Sequence, residues 1–151
     1  MTNLQLVKSD GTREATSVDA VLPAVILETS RKVYGFTELS DNWDSYGALC
    51  PTKNALLGAC MLAYQLFEEK TPVPDVFPTA DGNIQFEWSC FNLDLEIEVV
   101  SDGKCFAHFE DLDTGVSWEK EFTYNLTELR QVISELTSRN RPANILQVVN
   151  G

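Results

Sequence analysis

The run Ile84-Gln85-Phe86-Glu87-Trp88 and, after Ser89-Cys90, Phe91-Asn92-Leu93-Asp94-Leu95-Glu96-Ile97-Glu98-Val99 decides the fold. Apolar and polar side chains alternate at period two, the pattern of strands that bury one face and wet the other. Two further stretches continue it: Lys104 to Glu110, and Val116, Trp118, Phe122 and Tyr124 alternating with Ser117, Glu119, Glu121 and Thr123. The turn signal Asp81-Gly82 precedes the first run, and Ser101-Asp102-Gly103 and Asp113-Thr114-Gly115 separate the later ones. Strands joined by such short turns pair antiparallel, so a four-stranded meander is predicted. Leu93, Leu95 and Ile97 must face its core, which sends Asp94, Glu96 and Glu98 to solvent.

Upstream, Pro72, Pro74 and Pro78 force an extended segment. Before them, Pro51-Thr52 opens a helix whose apolar face (Ala55, Leu56, Ala59, Cys60, Leu62, Ala63, Leu66, Phe67) runs to about Lys70. An earlier helix is capped by Ser17 and carries Val18, Val21, Leu22, Val25, Ile26, Thr29 and Val33 at helical spacing to about Tyr34, with Gly35 as a stop. Pro23 lies within its first two turns, so this helix starts late or kinks. Downstream, Asn125 caps a third helix marked by Leu126, Leu129, Val132, Ile133 and Leu136 and ended by Asn140-Arg141-Pro142. The reading is an α+β domain over residues 17–140, with an arm at 1–16 and a tail at 141–151. All three helices pack on one face of the sheet, leaving the acidic face open.

The 151 residues carry 23 acidic and 11 basic side chains, a net charge of −12 and a pI near 4.3. That balance opposes direct binding to nucleic acid or anionic lipid, which depends on clustered Lys and Arg. No apolar run approaches the length of a membrane span and no signal-peptide order opens the chain, so a cytoplasmic location is expected. Cys50, Cys60, Cys90 and Cys105 form no CxxC pair, and His108 is the only imidazole. A zinc site of ordinary spacing is absent, and reduced, buried thiols are expected. No cofactor and no metal site is predicted. A nucleophile–base pair would have to run through His108, whose neighbours Phe106 and Phe109 place it in a strand.

Chemistry-bearing residues concentrate in two places. The first is the loop Asn42-Trp43-Asp44-Ser45-Tyr46-Gly47, where an amide, a carboxylate and a phenol stand within five residues. With Trp88 added, Asn42, Trp43, Asp44 and Tyr46 form a candidate small-molecule pocket. The plainer reading has Asn42 and Asp44 hydrogen-bonding loop amides while Trp43 and Tyr46 plug the core edge. The second is the strand region: between Asp81 and Glu121 stand eleven acids against Lys104 and Lys120, −9 of the total charge. Alternation puts Glu87, Asp94, Glu96, Glu98, Glu119 and Glu121 on the solvent side of neighbouring strands, where like charges repel.

Asn42-Trp43-Asp44-Ser45-Tyr46-Gly47-Ala48, the proline-started helix, Pro72-Val73-Pro74, Pro78, Asp81-Gly82-Asn83-Ile84 and Glu87-Trp88 together resemble a pattern of small bacterial and phage proteins of unassigned function. In those the loop often reads NWDGYGA and the later segment PxPxxxPxxDGxIxxEW. The resemblance spans roughly residues 39–100, implies one domain, and carries no activity. Ser45 stands where the commoner form has Gly, which argues against a glycine-only backbone angle there.

These readings converge on a non-catalytic acidic protein-binding module or inhibitor, of antitoxin, immunity or phage anti-defence type. Its partner would be a basic protein such as a toxin, a nuclease or a nucleic-acid-binding effector, met by Glu87, Asp94, Glu96, Glu98, Glu119 and Glu121. The alternatives are a ligand-binding or enzymatic domain with its site at the loop of residues 42–47, and a structural subunit that self-associates as a homo-oligomer.

Overall fold

A computed structural model describes residues 21–140. They form α1 (Ala24–Gly35), α2 (Lys53–Leu66), β1 (Asp75–Pro78), β2 (Ile84–Cys90), β3 (Leu93–Ser101), β4 (Lys104–Asp111), β5 (Val116–Thr123) and α3 (Thr127–Arg139), with a short 3-10 turn at Phe36–Glu38. The strands make one antiparallel sheet in sequence order, β1 to β5. The α+β class and the meander agree with the sequence reading. The strand count differs by one.

That extra strand is the proline segment. Asp75–Pro78 pairs with Ile84–Glu87, and Pro78 ends it opposite Ile84. Proline lacks an N–H for the ladder and is tolerated at a sheet edge, where one side needs no partner. Three other differences follow from local geometry. Phe91, expected on the apolar face, sits with Asn92 in a two-residue turn with φ 56° and 58°, the left-handed pair that closes a tight hairpin. Tyr124, also expected on that face, leaves β5 at φ 60° and is 80% exposed over Gly103. Val21 and Leu22 precede α1 and are exposed, because Pro23 occupies the N-cap position and the helix starts after it. The expected cap Ser17, the arm at 1–16 and the tail at 141–151 lie outside the described residues.

α2 begins one residue after Thr52, whose Oγ1 accepts the Ala55 N–H at 3.0 Å. It stops at Leu66, short of Lys70, because Phe67 turns to extended backbone with ψ 136°. α3 starts at Thr127 with Leu126 as its N-cap, one residue later than a cap at Asn125 would place it, although Asn125 Oδ1 still accepts the Thr127 N–H at 3.2 Å. The buried stripes of the three helices and the inward residues of β2–β4 join in one hydrophobic core, centred on Ile84, Phe86, Leu95, Ile97, Ala59, Leu129 and Ile133. Phe67, Phe86 and Trp88 meet there as an aromatic trio with centroids 5.5–6.2 Å apart. One face of the sheet is thereby covered.

The C-terminal end of α3 is fastened to the sheet's turns by Arg139. Its guanidinium donates to Asp111 Oδ2 at 3.0 Å, Asp113 Oδ2 at 3.3 Å, Glu135 Oε1 at 2.9 Å and the Phe91 carbonyl at 3.0 Å. Burial pushes the Asp111 carboxyl up, but the Asp113 N–H and Arg139 outweigh it and hold the carboxyl below its ordinary value.

Candidate functional site

The uncovered face of the sheet carries its side chains in cross-strand rows fixed by the register. One row runs Gln85, Glu98, Phe106, Glu121; the next runs Glu87, Glu96, His108, Glu119; the third runs Ser89, Asp94, Glu110, Ser117. The first two rows extend onto β1 at Phe77 and Asp75. All six acids selected from the sequence therefore share this face, and Glu110 joins them. Directly opposed pairs stand about 5 Å apart at Cβ, so Glu87 against Glu96 is a like-charge contact.

The face is concave along β4, with a groove of about 360 Å³ between the carboxylates of β3 and those of β5. Phe106 and His108 line its floor; Glu96, Glu98, Glu119 and Glu121 rise on its flanks. Phe106 is 42% exposed and His108 half-buried. Some acids are tethered: the Asn83 amide donates to Glu98 Oε1 at 2.8 Å, and the Ser89 hydroxyl to Asp94 Oδ1 at 2.6 Å. Lys104 is the one ammonium of these rows' own face among the described residues, 3.8 Å from Glu121 and 5.6 Å from the centroid of the Phe106 ring. Lys120 falls on the opposite face, beside the Trp118 ring, and pairs with Glu128 of α3.

Phe106, His108 and Gln85 were not selected as partner-contacting residues from the sequence, although a signal was present. β4 reads Lys-Cys-Phe-Ala-His-Phe-Glu-Asp, with an aromatic at both parities, so one of the two had to lie on the open side.

The loop from Asp41 to Cys50 closes on itself. Asn42 Oδ1 accepts the Gly47 N–H at 2.8 Å; Asp44 Oδ1 accepts Tyr46 N–H at 2.8 Å and Ala48 N–H at 3.0 Å; Asp41 Oδ1 accepts Cys50 N–H at 2.9 Å. The Tyr46 and Ala48 N–H groups hold the Asp44 carboxyl below its ordinary value, and Cys50 does the same for Asp41. Trp43 donates its indole N–H to the Leu49 carbonyl at 3.0 Å. The aromatics do not plug the core edge: Trp43 is half-buried and Tyr46 is 94% exposed. Trp88 is not brought to them, since its ring lies in the core trio and its indole N–H donates to the Pro72 carbonyl at 2.8 Å. Ser45 adopts φ 67°, the left-handed angle its side chain argued against.

All four cysteines are free thiols. Burial pushes Cys105 up to about 11 and raises Cys60 and Cys90, while a hydrogen bond to Asp41 raises Cys50. Raised thiols hold little thiolate at neutral pH. Only Cys105 is fully buried; the other three are half-buried. Among the described residues no group of three His, Cys, Asp or Glu side chains is placed to hold a metal ion, and no helix is long and apolar enough to cross a membrane. No protein-family profile, no curated protein and no solved structure matches the chain.

Proposed function

We propose that the chain is a non-catalytic acidic binding module or inhibitor, in the manner of an antitoxin, an immunity protein or an anti-defence protein, that docks a basic protein on the open face of its sheet. One observation carries this reading: eight carboxylates, Asp75, Glu87, Asp94, Glu96, Glu98, Glu110, Glu119 and Glu121, stand in three adjoining rows on that face, with Lys104 the one ammonium beside them among the described residues. Like charges so arranged weaken the fold and steer a basic surface toward it. Nucleic acid is repelled by the same field, which leaves a protein as the fitting partner. The loop of residues 41–50 offers no equal claim, because its carboxylates and amide already hold its own backbone.

The test is capture from the native host at low salt on two immobilised baits, the wild-type chain and a Glu96→Gln, Glu98→Gln, Glu119→Gln, Glu121→Gln variant. A basic protein retained by the first, released by salt and lost by the second is the expected result. Equal retention by both baits would contradict the proposal.

A further inference from the structure

We infer that the docking segment of the partner is an extended strand with arginine at alternate positions, laid along the β4 groove. This rests on the docking reading above and specifies what enters the face.

Glu98 and Glu121 flank Phe106, and Glu96 and Glu119 flank His108, one pair to each row. Neighbouring strands lie about 4.8 Å apart, so the two acidic flanks stand roughly 10 Å apart, the width an extended peptide needs. Rows recur every second residue of β4, about 6.8 Å, the interval at which an extended chain shows successive side chains on one side. Successive alternate side chains therefore meet Glu98 and Glu121, then Glu96 and Glu119, then Asp94 and Glu110 of the third row. A guanidinium suits the chemistry, since its flat face stacks on the exposed Phe106 ring while its N–H groups reach carboxylates on either side. The protein already seats a cation in this way: Lys104 Nζ lies 5.6 Å from the Phe106 centroid and 3.8 Å from Glu121. A block of consecutive arginines turns half its charges away from the groove.

Calorimetric titration of the whole chain with two peptides of equal composition and charge tests this. The alternating peptide is acetyl-Gly-Arg-Gly-Arg-Gly-Arg-Gly-amide, and the blocked one is acetyl-Gly-Gly-Arg-Arg-Arg-Gly-Gly-amide. Wild type is expected to bind the alternating peptide several-fold more tightly, and Phe106→Leu to weaken that peptide by roughly two- to fivefold, the scale of an exposed cation–π contact. Equal affinity of wild type for both peptides, or no effect of Phe106→Leu, would overturn the inference. The fourfold Gln variant separates the two levels: loss of both peptides leaves acidic docking standing, whereas unchanged binding removes the docking reading as well.

Discussion

Ser45 sits at φ 67° directly after Asp44, and the turn it completes lets Asp44 collect two N–H groups, those of Tyr46 and Ala48. An L-residue at that angle costs roughly 1–2 kcal/mol, of which glycine's greater freedom in the unfolded chain returns part. Ser45→Gly is therefore expected to stabilise the protein by about 0.5 kcal/mol in urea melts; a loss of stability would show that the serine side chain contributes more than its backbone costs. Asp111 makes a different prediction. Its carboxyl lies below the ordinary value of 3.8 in the folded chain, held there against burial by the Asp113 N–H and Arg139. Between those two values the unfolded chain keeps a proton that the folded chain lacks, so stability rises with pH across that window. The contribution is complete above about pH 4 and fades as pH falls through the lowered folded value. Asp111→Asn should lower the melting temperature at neutral pH and flatten its acid decline; an unchanged slope would mean that Asp41, Asp44 or other carboxyls set it.

Among the elements, α2 makes the closest approach to the sheet. A Cβ on Gly58 would lie 2.5 Å from the carbonyl carbon of Ser101, where the β3–β4 register shifts. Alanine normally favours a helix interior over glycine by about 1 kcal/mol. Here the clash with backbone dominates, and Gly58→Ala is expected to destabilise by about 2 kcal/mol in chemical denaturation; a stabilised variant would contradict this packing. Nothing at Gly58 announced that role, since close approach depends on how two elements meet. Elements whose burial has one period were readable: β2 and β3 followed Ile84-Phe86-Trp88 and Leu93-Leu95-Ile97, and the acidic face followed from their parity. The misread positions lie where tertiary pairing overrides pattern. Pro72–Pro78 read as extended and became a strand only because the free edge of β2 accepted it. Phe91 has the parity of the β3 alternation but falls in the hairpin turn before that strand begins. Lys120, which the alternation left without a face, stands at an inward position of β5 and meets Glu128 of α3. The loop of residues 41–50 was legible as an Asx-rich turn, while the solvent exposure of Tyr46 was not.

At the scale of the whole molecule, a helix layer covers one side of the sheet and carboxylates line the other. The core rests on the inward residues, so replacing Glu96, Glu98, Glu119 and Glu121 by Gln should leave folding intact. The variant is expected to melt no lower than wild type, because repulsion between neighbours such as Glu87 and Glu96 is relieved. A marked drop in melting temperature would mean that these acids hold the sheet together. The same change should slow the approach of a basic partner, since the field that steers encounter is reduced and salt has less left to screen. The most direct measurement is the association rate of the captured basic protein with wild type and with the fourfold variant, each at low and at high salt. A faster wild-type rate at low salt, converging on that of the variant as salt rises, is the result expected for electrostatic docking on this face. Equal rates for the two proteins at low salt would contradict it.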